Sequence, residues 1–557
     1  MEKTAKKTST WLALRNPVFK KLWLAMVVSG SCIGAHNTAI FWALNSLGAS
    51  TIIISLMATV SALPYTLFTL PAGAIADMVD RKKILLAVQL WHAVIAFALA
   101  ILWMTHLLNP YLILVSAFLF SAGFAFGSPA HSSIIAEMVQ KDELASAYTL
   151  AGLQMDISGI IGPLFSGLFL PLAGASFIFG ANGLGFVFMF LAVLQWKRPT
   201  TQSKLPLENF FESLTTAIRY VRYTAGIKIL LARHALFSFF IAIIPSLMPV
   251  IGLKELHLKA SDLGFLFTSM AVGSVVSGAF VIPWARAKYS PQRITTGANI
   301  LLLLDFCLMA FVHRPGVFLV VAALGGMGWT LSASELWVAS QRAMPDWARG
   351  RMNATMVMIS QAATALGGII WGLAAHETGV VPTFLGAAVV GILLMILVRV
   401  VPALHISIDF TKDLSFESAP PSVLAQRLDP SRAPAPTDGP VSITAEFHID
   451  PTRRNECIEL MREARVIFLR NGAYRWHLYE DLNQSNKFRM EIVAPSWKQH
   501  LLQLERMTKN ERDVIDKLRS LRTDPNPPEE WVSLSVEKEV LNRRVRTSGL
   551  PTDYVDQ

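Results

Sequence analysis

Ionisable side chains are rare inside the long apolar stretches of this sequence, so each one is a candidate for chemistry. A charge in the hydrocarbon interior of a bilayer is expensive, and acids placed there often serve ion or proton pathways. Three carboxylic acids stand in such stretches: Asp156, Glu335 and Asp305. We predict them as proton-coupling candidates, because burial that stabilises the neutral form of a carboxyl group allows reversible protonation. A structural acid, paired or hydrogen-bonded in the interior, is the alternative for each.

Uncharged polar groups and aromatic rings also occur in the apolar stretches. Five of them are candidates for a substrate cavity: His36, Asn37, Trp91, Gln154 and Gln361. Side chains of these types can line a site for a bulky amphiphilic substrate. Hydrogen bonding in the core and anchoring at the membrane interface are the alternatives.

The sequence lacks the patterns of common catalytic and cofactor sites. The three cysteines, Cys32, Cys307 and Cys457, are widely separated and form neither a disulfide framework nor a zinc spacing. No phosphate-binding loop of the form Gly-x-x-x-x-Gly-Lys-Ser/Thr occurs, which argues against transport driven by ATP. We therefore predict no catalytic residue, no metal and no cofactor, and we expect the chain not to be an enzyme.

Charged residues are distributed unevenly along the chain. The 557 residues are 53% hydrophobic and 16% charged, whereas a soluble protein carries about 25% charged residues. Residues 1–404 contain 42 charged side chains and residues 405–557 contain 46. The first part therefore has the composition of a membrane protein and the second that of a soluble domain. The net charge of +10 comes from short loops between apolar stretches, so it indicates topology rather than nucleic-acid binding.

The apolar stretches predict twelve transmembrane helices, since about 20 residues cross a bilayer. Lys and Arg concentrate in the N-terminus and in alternate loops, which places both termini in the cytoplasm by the positive-inside rule. The loop between the sixth and seventh predicted helices, residues 197–227, contains an amphipathic helix. We expect this helix to lie along the inner membrane face, with a solvated linker as the alternative. The predicted domains are a cytoplasmic N-terminus (1–20), a first six-helix bundle (21–196), a cytoplasmic linker with an amphipathic helix (197–227), a second six-helix bundle (228–404), a Pro/Ser-rich linker (405–440) and a cytoplasmic α+β domain (441–545).

The two predicted bundles are repeats of one another. The segment that begins at Gly73 and the segment that begins at Gly278 each follow the second helix of a bundle, and they are 205 residues apart. The same offset relates two pairs of later glycines: Gly162 with Gly367, and Gly167 with Gly372. Agreement on one offset predicts a duplicated six-helix unit around a central path.

The segment GAIADMVDRKK resembles the loop motif Gly-x-x-x-Asp-x-x-x-Arg-Lys of the major facilitator superfamily. The segments SPAHSSIIAEMVQKDELASAYTL and ISGIIGPLFSG are similar to the bacterial secretion-effector branch, which includes the enterobactin exporter. The resemblance implies that Gly73, Asp77, Arg81 and Lys82 form a gating cluster, which latches the cytoplasmic ends of the bundles in one state. A simple topogenic charge cluster is the alternative. The second copy departs from the motif, because Ile282 replaces the acid.

The fifth predicted helix carries a packing motif of small residues: Ser158, Gly162, Pro163, Ser166 and Gly167. It resembles the antiporter motif that marks exporters of the superfamily, with the two serines where glycines are usual. Small residues let two helices touch, and proline can kink a membrane helix. The resemblance therefore favours export over import.

The soluble tail predicts strands at 441–449, 474–480, 487–494 and 531–536, with helices at 453–471 and 497–522. The order β-α-β-β-α-β is typical of a ferredoxin-like fold. The tail is similar to dimeric α/β-barrel domains, so a homodimer through this domain is expected. Regulation, ligand sensing and catalysis are the other roles open to it.

These features predict an all-α membrane protein of two six-helix bundles with a C-terminal α+β domain. We expect it to export small siderophore-, drug- or metabolite-like molecules by alternating access coupled to protons. The expected location is the cell inner (plasma) membrane, and nucleic acid is not expected as a partner. An importer of the same fold, and a membrane-anchored enzyme or sensor acting through the tail, are the alternatives.

Overall fold

The computed structural model describes residues 11–140, 143–196, 210–224, 226–401, 434–484, 486–523 and 529–535. A few side chains inside these ranges, including that of Asp77, lie outside the description. The chain divides into two compact units. The first comprises Met1–Phe210, Ile229–Gln341 and Asn353–Ile406, and the second comprises Phe211–Lys228, Arg342–Met352 and Ser407–Gln557.

Long apolar helices make up the first unit. Its helices, some of which extend across a unit boundary, are α1 (Pro17–Ser46), α2 (Thr51–Met78), α3 (Arg81–Met104), α4 (Pro110–Met138), α5 (Leu144–Gln195), α7 (Ile227–Ile241), α8 (Ile243–Val250), α9 (Ala260–Val276), α10 (Ile282–Lys288), α11 (Pro291–Phe311), α12 (Pro315–Arg342), α13 (Asp346–Thr378) and α14 (Val380–Val400). The intervening α6 (Phe210–Tyr223) belongs almost entirely to the second unit.

The first four helices begin at polar capping residues. The Asn16 side chain accepts hydrogen bonds from the backbone amides of Val18 and Phe19, and a proline follows at the first helical position. Ser50 caps α2, Asp80 caps α3 and Asn109 caps α4 in the same way. Each cap satisfies amide groups that have no partner inside the helix.

Within the described residues, eleven helical stretches are long and apolar enough to cross a membrane. The prediction of twelve differs at α5, where one stretch of 50 residues, Ser146–Gln195, takes the place of two. The break within it is Gly174, whose φ of 79° and ψ of 175° are not helical. Glycine adopts a positive φ without the steric penalty that a Cβ imposes.

The packing of the first unit is centred on α5. This helix contacts α1, α3 and α9, while α2 contacts α4 and α8. Buried alanines and larger apolar side chains from both halves of the chain join in one cluster, which includes Ala39, Phe179, Leu247 and Phe306. Alanine and glycine allow close approach of helices, which is how membrane helices associate in lipid.

The second unit contains a four-stranded sheet. Its strands are β1 (Val441–His448), β2 (Arg475–Glu480), β3 (Lys487–Ala494) and β4 (Glu529–Leu534), and its further helices are α15 (Arg454–Asn471), α16 (Trp497–Glu505) and α17 (Lys509–Ser520). The sheet order is β2-β3-β1-β4, and all neighbouring strands are antiparallel. Its core includes Val441, Phe468, Ile492 and Trp497.

The single helix expected at 497–522 is two helices. The second begins at Thr508, whose side chain and that of Glu511 form a capping box. The pattern Thr-x-x-Glu is a signal for a helix start, and it was present in the sequence. The apolar periodicity continues through the break, which explains why one long helix was expected.

Two segments from between the membrane helices pack with the soluble domain. Tyr223 of α6 lies against the apolar core of the domain. The hydroxyl group of Tyr220 donates a hydrogen bond of 3.1 Å to the carbonyl oxygen of Ala343, and the guanidinium of Arg506 lies 5.0 Å from the ring centre of Trp347. The linker helix and the α12–α13 loop are therefore integral to the second unit.

Candidate functional site

A cavity of about 330 Å³ lies inside the first unit. Its walls come mainly from α1, α2, α4 and the part of α5 after Gly174. The second half of the chain contributes Pro245, Gln361 and Thr364. Lys, Arg, Asp and Glu are absent from its lining residues, all of which are described. The site is therefore uncharged apart from what its histidine carries.

Three polar side chains of this cavity are buried: His36, Asn182 and Ser121. The His36 side chain is 2% exposed and lies edge-on to Phe120 and Phe179, at ring distances of 4.8 and 5.1 Å. Asn182 is 1% exposed. Neither ring nitrogen of His36 and neither amide atom of Asn182 has a hydrogen-bond partner among the described residues. Such groups are normally satisfied in folded proteins.

The five predicted cavity residues occupy two different settings. His36, Asn37 and Gln361 line the cavity. Trp91 and Gln154 are not among its lining residues. Trp91 donates a hydrogen bond to the carbonyl oxygen of Leu119 at 2.9 Å, and Gln154 donates to the carbonyl oxygen of Met26 at 3.1 Å. These two side chains connect neighbouring helices.

Sequence reasoning missed Asn182, as well as Tyr65 and the phenylalanines of the wall. A detectable signal existed for Asn182, because it is an amide side chain inside an apolar stretch. The phenylalanines gave no such signal, since aromatic residues are frequent throughout the membrane helices.

The three predicted proton-coupling acids lie outside the cavity lining and differ from one another. The Glu335 carboxylate forms an ion pair with Arg286, with Nε 2.7 Å from Oε1. Asp305 is fully buried, and neither of its carboxyl oxygens has a hydrogen-bond partner within the described part of the chain. It lies beside Gly325, where an added Cβ would be 2.6 Å from Oδ2. Asp156 is exposed on the surface of α5.

Glycines of the packing motif make close backbone contacts. A Cβ at Gly162 would lie 2.5 Å from the carbonyl oxygen of Ser31 in α1. A Cβ at Gly167 would lie 2.9 Å from the carbonyl oxygen of Ser261, at the start of α9. The motif therefore places α5 against a helix of its own half and a helix of the other half.

The repeat partners of these glycines make the equivalent contacts. A Cβ at Gly367 would lie 2.5 Å from the carbonyl oxygen of Phe239 in α7, and a Cβ at Gly372 would lie 2.8 Å from the Cβ of Ser55 in α2. The offset of 205 seen in the sequence is thus an equivalence of packing, with α13 in the role of α5.

The remaining residues of the packing motif are also buried. Ser158 donates a hydrogen bond of 3.2 Å to the carbonyl oxygen of Val27 and accepts one from Gln154. Pro163 lies next to Gly264, where an added Cβ would be 2.5 Å from its carbonyl oxygen. Ser166 is fully buried, and its hydroxyl group has no partner among the described residues.

The predicted gating cluster is described in part, because the Asp77 side chain lies outside the described residues. The Lys82 ammonium group donates hydrogen bonds to the carbonyl oxygens of Leu194, at 2.9 Å, and Trp196, at 2.6 Å. These carbonyls lie at the end of α5, where a positive charge is favourable to the helix dipole. Gly73 has open space where a Cβ would be, so no described residue packs closely against it.

The two halves also touch at the end of the unit where α1 and α2 are joined. The Lys254 ammonium group donates a hydrogen bond of 2.8 Å to the carbonyl oxygen of Ala49. The Thr59 hydroxyl group donates one of 2.8 Å to the carbonyl oxygen of Ala365. Together with the contacts of Gly167 and Gly372, these bonds join the halves at this end, which we call the outer end.

The second unit has buried titratable groups of its own. Burial lowers the pKa of His500 to about 4 and raises the pKa of Tyr220 to about 12, because the charged form of each loses its hydration. Among the described residues, no group of His, Cys, Asp and Glu side chains could hold a metal ion. Both shifts fit groups packed in a core.

Comparison with known proteins identifies relatives of the whole membrane part. A family described as transmembrane secretion effector matches residues 8–540. Macrolide efflux protein A of Streptococcus pyogenes is 22% identical over 378 residues, covering 66% of this chain and 91% of that protein. Enterobactin exporter EntS of Citrobacter koseri is 24% identical over 398 residues, covering 69% and 92%.

Solved transporter structures share the fold. The nucleoside transporter NupG has a TM-score of 0.57 at 13% identity, covering 69% of this chain and 98% of that chain. A bacterial homologue of the human lysosomal transporter Spinster, in an inward-facing and unoccupied conformation, has a TM-score of 0.54 at 13% identity, covering 71% and 96%.

Proposed function

This chain belongs to the transmembrane secretion effector family of the major facilitator superfamily, and from this premise we propose that its cavity carries small molecules outward by alternating access. It is a secondary transporter that exports small molecules, and its relatives are efflux proteins rather than enzymes. The observation that carries the mechanism is the position of the cavity between two repeated halves, which touch at the outer end through matched glycine contacts.

The proposed architecture has twelve membrane crossings. A helix of 50 residues would be about 75 Å long at 1.5 Å per residue, which is more than twice the hydrocarbon thickness of about 30 Å. The non-helical Gly174 divides this stretch near its middle. Two crossings in place of one restore the six-plus-six count that the repeat requires.

In this arrangement both chain termini and the soluble unit face the cytoplasm of a bacterial inner membrane. The concentration of Lys and Arg in the N-terminus and in alternate loops supports this orientation. The outer end, where α1 meets α2, then faces away from the cytoplasm. Contacts between the halves at this end support the proposal of a state whose outer gate is closed.

Proton coupling is the proposed source of energy. A group that exchanges a proton must be able to change its charge, so the unpaired carboxyl group of Asp305 and the exposed one of Asp156 suit this role. Glu335 is less suited, because Arg286 compensates its charge at 2.7 Å. We assign Glu335 and Arg286, together with Gly73, Asp77, Arg81 and Lys82, to gating instead.

We infer that the soluble unit has a ferredoxin-like fold and supports dimerisation or regulation. The antiparallel sheet order β2-β3-β1-β4, with helices after β1 and β3, supports this assignment. Its packing with α6 and the α12–α13 loop gives it direct contact with segments that join membrane helices.

Everted membrane vesicles test the direction and the energy source. A proton gradient is imposed, and uptake of a macrolide, of a catecholate siderophore and of neutral dyes is followed. Vesicles containing the chain should accumulate at least one of these above vesicles that lack it. A protonophore should abolish uptake. Asp305→Asn should reduce uptake more than the double variant Glu335→Gln/Arg286→Gln, in which both charges of the ion pair are removed. Accumulation only in right-side-out vesicles would identify an importer.

A further inference from the structure

The composition of the cavity lining identifies a class of substrate. We propose that the cavity binds an uncharged amphiphilic molecule, which His36 and Asn182 anchor against an aromatic wall of Phe120, Phe124 and Phe186. This inference rests on the proposed export function and specifies what is exported. It also gives a role to two buried polar side chains that the packing of the helices does not use.

The lack of charge in the lining argues against an ionic substrate. An ion moved from water into an apolar site without a counter-charge loses hydration that nothing in the site replaces. The three acids of the membrane helices and the gating lysine lie elsewhere in the unit. A neutral molecule avoids this penalty, because the cavity offers its apolar surface a matching wall.

The unpartnered atoms of His36 and Asn182 provide the polar part of the site. Both side chains are at least nine-tenths buried and line the cavity. The Asn182 amide offers two donors and acceptor positions, and His36 in its neutral form offers one donor and one acceptor. None of these atoms is satisfied by a described residue. Hydroxyl, carbonyl or ether groups of a substrate would satisfy them, and buried polar groups favour ligands that do so.

The aromatic wall provides the apolar part. Phe120 and Phe186 stack with a ring distance of 5.9 Å, and Phe124 lies 6.4 Å from Phe186. His92 holds this wall in place, since its ring lies 4.3 Å from that of Phe124 and its Nε2 bonds the carbonyl oxygen of Phe120 at 2.9 Å. Aromatic side chains arranged in this way favour ring systems, which can stack on them or contact them edge-on. The occupant is therefore a neutral molecule with an apolar ring face and oxygen-containing groups at one edge.

Matched dyes test the charge preference directly. N-phenyl-1-naphthylamine is neutral, and 8-anilino-1-naphthalenesulfonate has the same skeleton with a sulfonate. Diphenylhexatriene and its trimethylammonium derivative form a neutral and cationic pair. Dissociation constants are measured on the full chain in nanodiscs by energy transfer from tryptophan, with the double variant His36→Phe/Asn182→Leu as reference. Each neutral dye should bind at least tenfold more tightly than its charged partner. A smaller ratio, or no saturable binding of either neutral dye, overturns the proposal.

Variants test the two anchors. Asn182→Leu and His36→Phe keep the approximate size and should each weaken about tenfold the binding of Prodan, a neutral naphthalene ketone whose carbonyl oxygen can accept a hydrogen bond from each anchor, as expected for one lost hydrogen bond to a buried group. Diphenylhexatriene has no hydrogen-bonding group, so its affinity should change less. Gln89→Leu is the control, since it removes another amide with an unpartnered buried oxygen, outside the cavity. Unchanged affinity in both anchor variants contradicts the proposal.

A gain-of-function variant covers the case in which the anchor variants do not fold. Asn182→Asp keeps the size and places a carboxylate in the cavity. The affinity for the trimethylammonium dye, relative to that for diphenylhexatriene, should rise at least tenfold in this variant. An unchanged ratio of the two affinities contradicts the placement of Asn182 in the binding site.

Export itself is read out separately in everted vesicles. Selective binding without any gradient-driven uptake would contradict the proposed export function but support the proposed binding site. Equal uptake of neutral and charged dyes would contradict the preference for uncharged molecules but support the proposed export function.

Discussion

The two halves of the membrane unit share their glycine contacts but differ in their charges. Gly162 and Gly367 pack the same way against the first helix of their own halves. At the positions of the gating motif the chemistry diverges. Arg286 pairs with Glu335 in the second half, whereas the residue 205 positions before Glu335 is the buried Ala130. The two halves therefore share these packing contacts and differ in their polar connections.

The cavity shows the same asymmetry. All of its lining residues except Pro245, Gln361 and Thr364 come from the first half. We therefore expect most substrate contacts to come from the first half, with the second half contributing the smaller part of the lining. We therefore expect the two halves to respond alike to substitutions in their shared glycine contacts and differently to substitutions of their charged groups.

The largest loss of stability is expected at the glycine contacts that the two halves share. Gly162→Val and Gly367→Val should each destabilise the protein by about 3 kcal/mol or more, because a side chain would force backbones apart in a packed interface. Thermal unfolding in detergent measures this effect. Gly152→Val is the matched control, since open space surrounds that glycine in the same helix as Gly162. If only one of the two variants is damaged, the packing equivalence of the halves is wrong.

The next effect concerns the ion pair of the second half. Glu335→Gln leaves Arg286 without its partner and should lower stability by about 1–3 kcal/mol, less than for a fully buried pair because Arg286 is partly exposed. Unfolding temperature and transport rate should both fall. The exchange Arg286→Glu with Glu335→Arg should restore a large part of the loss. A double exchange no better than the single variant would show that the pair has no role as a pair.

A smaller effect is expected in the first half. Lys82→Gln removes two charge-assisted hydrogen bonds to carbonyl groups and should lower stability by about 1–2 kcal/mol. Lys83→Gln removes one positive charge as well, but at the next residue of the chain, which is exposed. This variant serves as the control. Equal losses in both variants would indicate a general charge effect.

The smallest effect is expected at the start of α13. Trp347→Leu should weaken the contact with Arg506 by about 1 kcal/mol, between the values for exposed and desolvated cation–π pairs, because Arg506 is buried and Trp347 is partly exposed. Hydrogen exchange of the second unit measures the loosening. Protection unchanged in α6 and in the α12–α13 loop would contradict a packing role for this ring.

Much of the fold could be predicted because its causes are local. Apolar length and capping residues such as Asn16 and Ser50 set where helices begin, and the offset of 205 predicted which glycines are equivalent. Gly174 could not be distinguished from the many other glycines of the membrane helices by sequence. The residues at the site were predicted less completely. His36, Asn37 and Gln361 were found from their polarity, but the partner of Glu335 is 49 residues away and only the packing brings it close.

The contact between the soluble domain and the membrane loops was also beyond sequence reasoning. Tyr220 and Tyr223 lie in an amphipathic helix that looked suited to a membrane surface. Their neighbours, Ala343 and the domain core, come from distant parts of the chain.

Locking the outer end by a disulfide tests alternating access most directly. Ser55→Cys and Gly372→Cys are introduced after the three native cysteines are replaced by serine. A Cβ at Gly372 lies 2.8 Å from that of Ser55, close enough for a disulfide after a small shift. Oxidation should reduce gradient-driven uptake into everted vesicles to background, and reduction should restore it, while the uptake of each single-cysteine variant is the same under oxidising and reducing conditions. Full transport by the oxidised, cross-linked protein would contradict an opening of the two halves at this end.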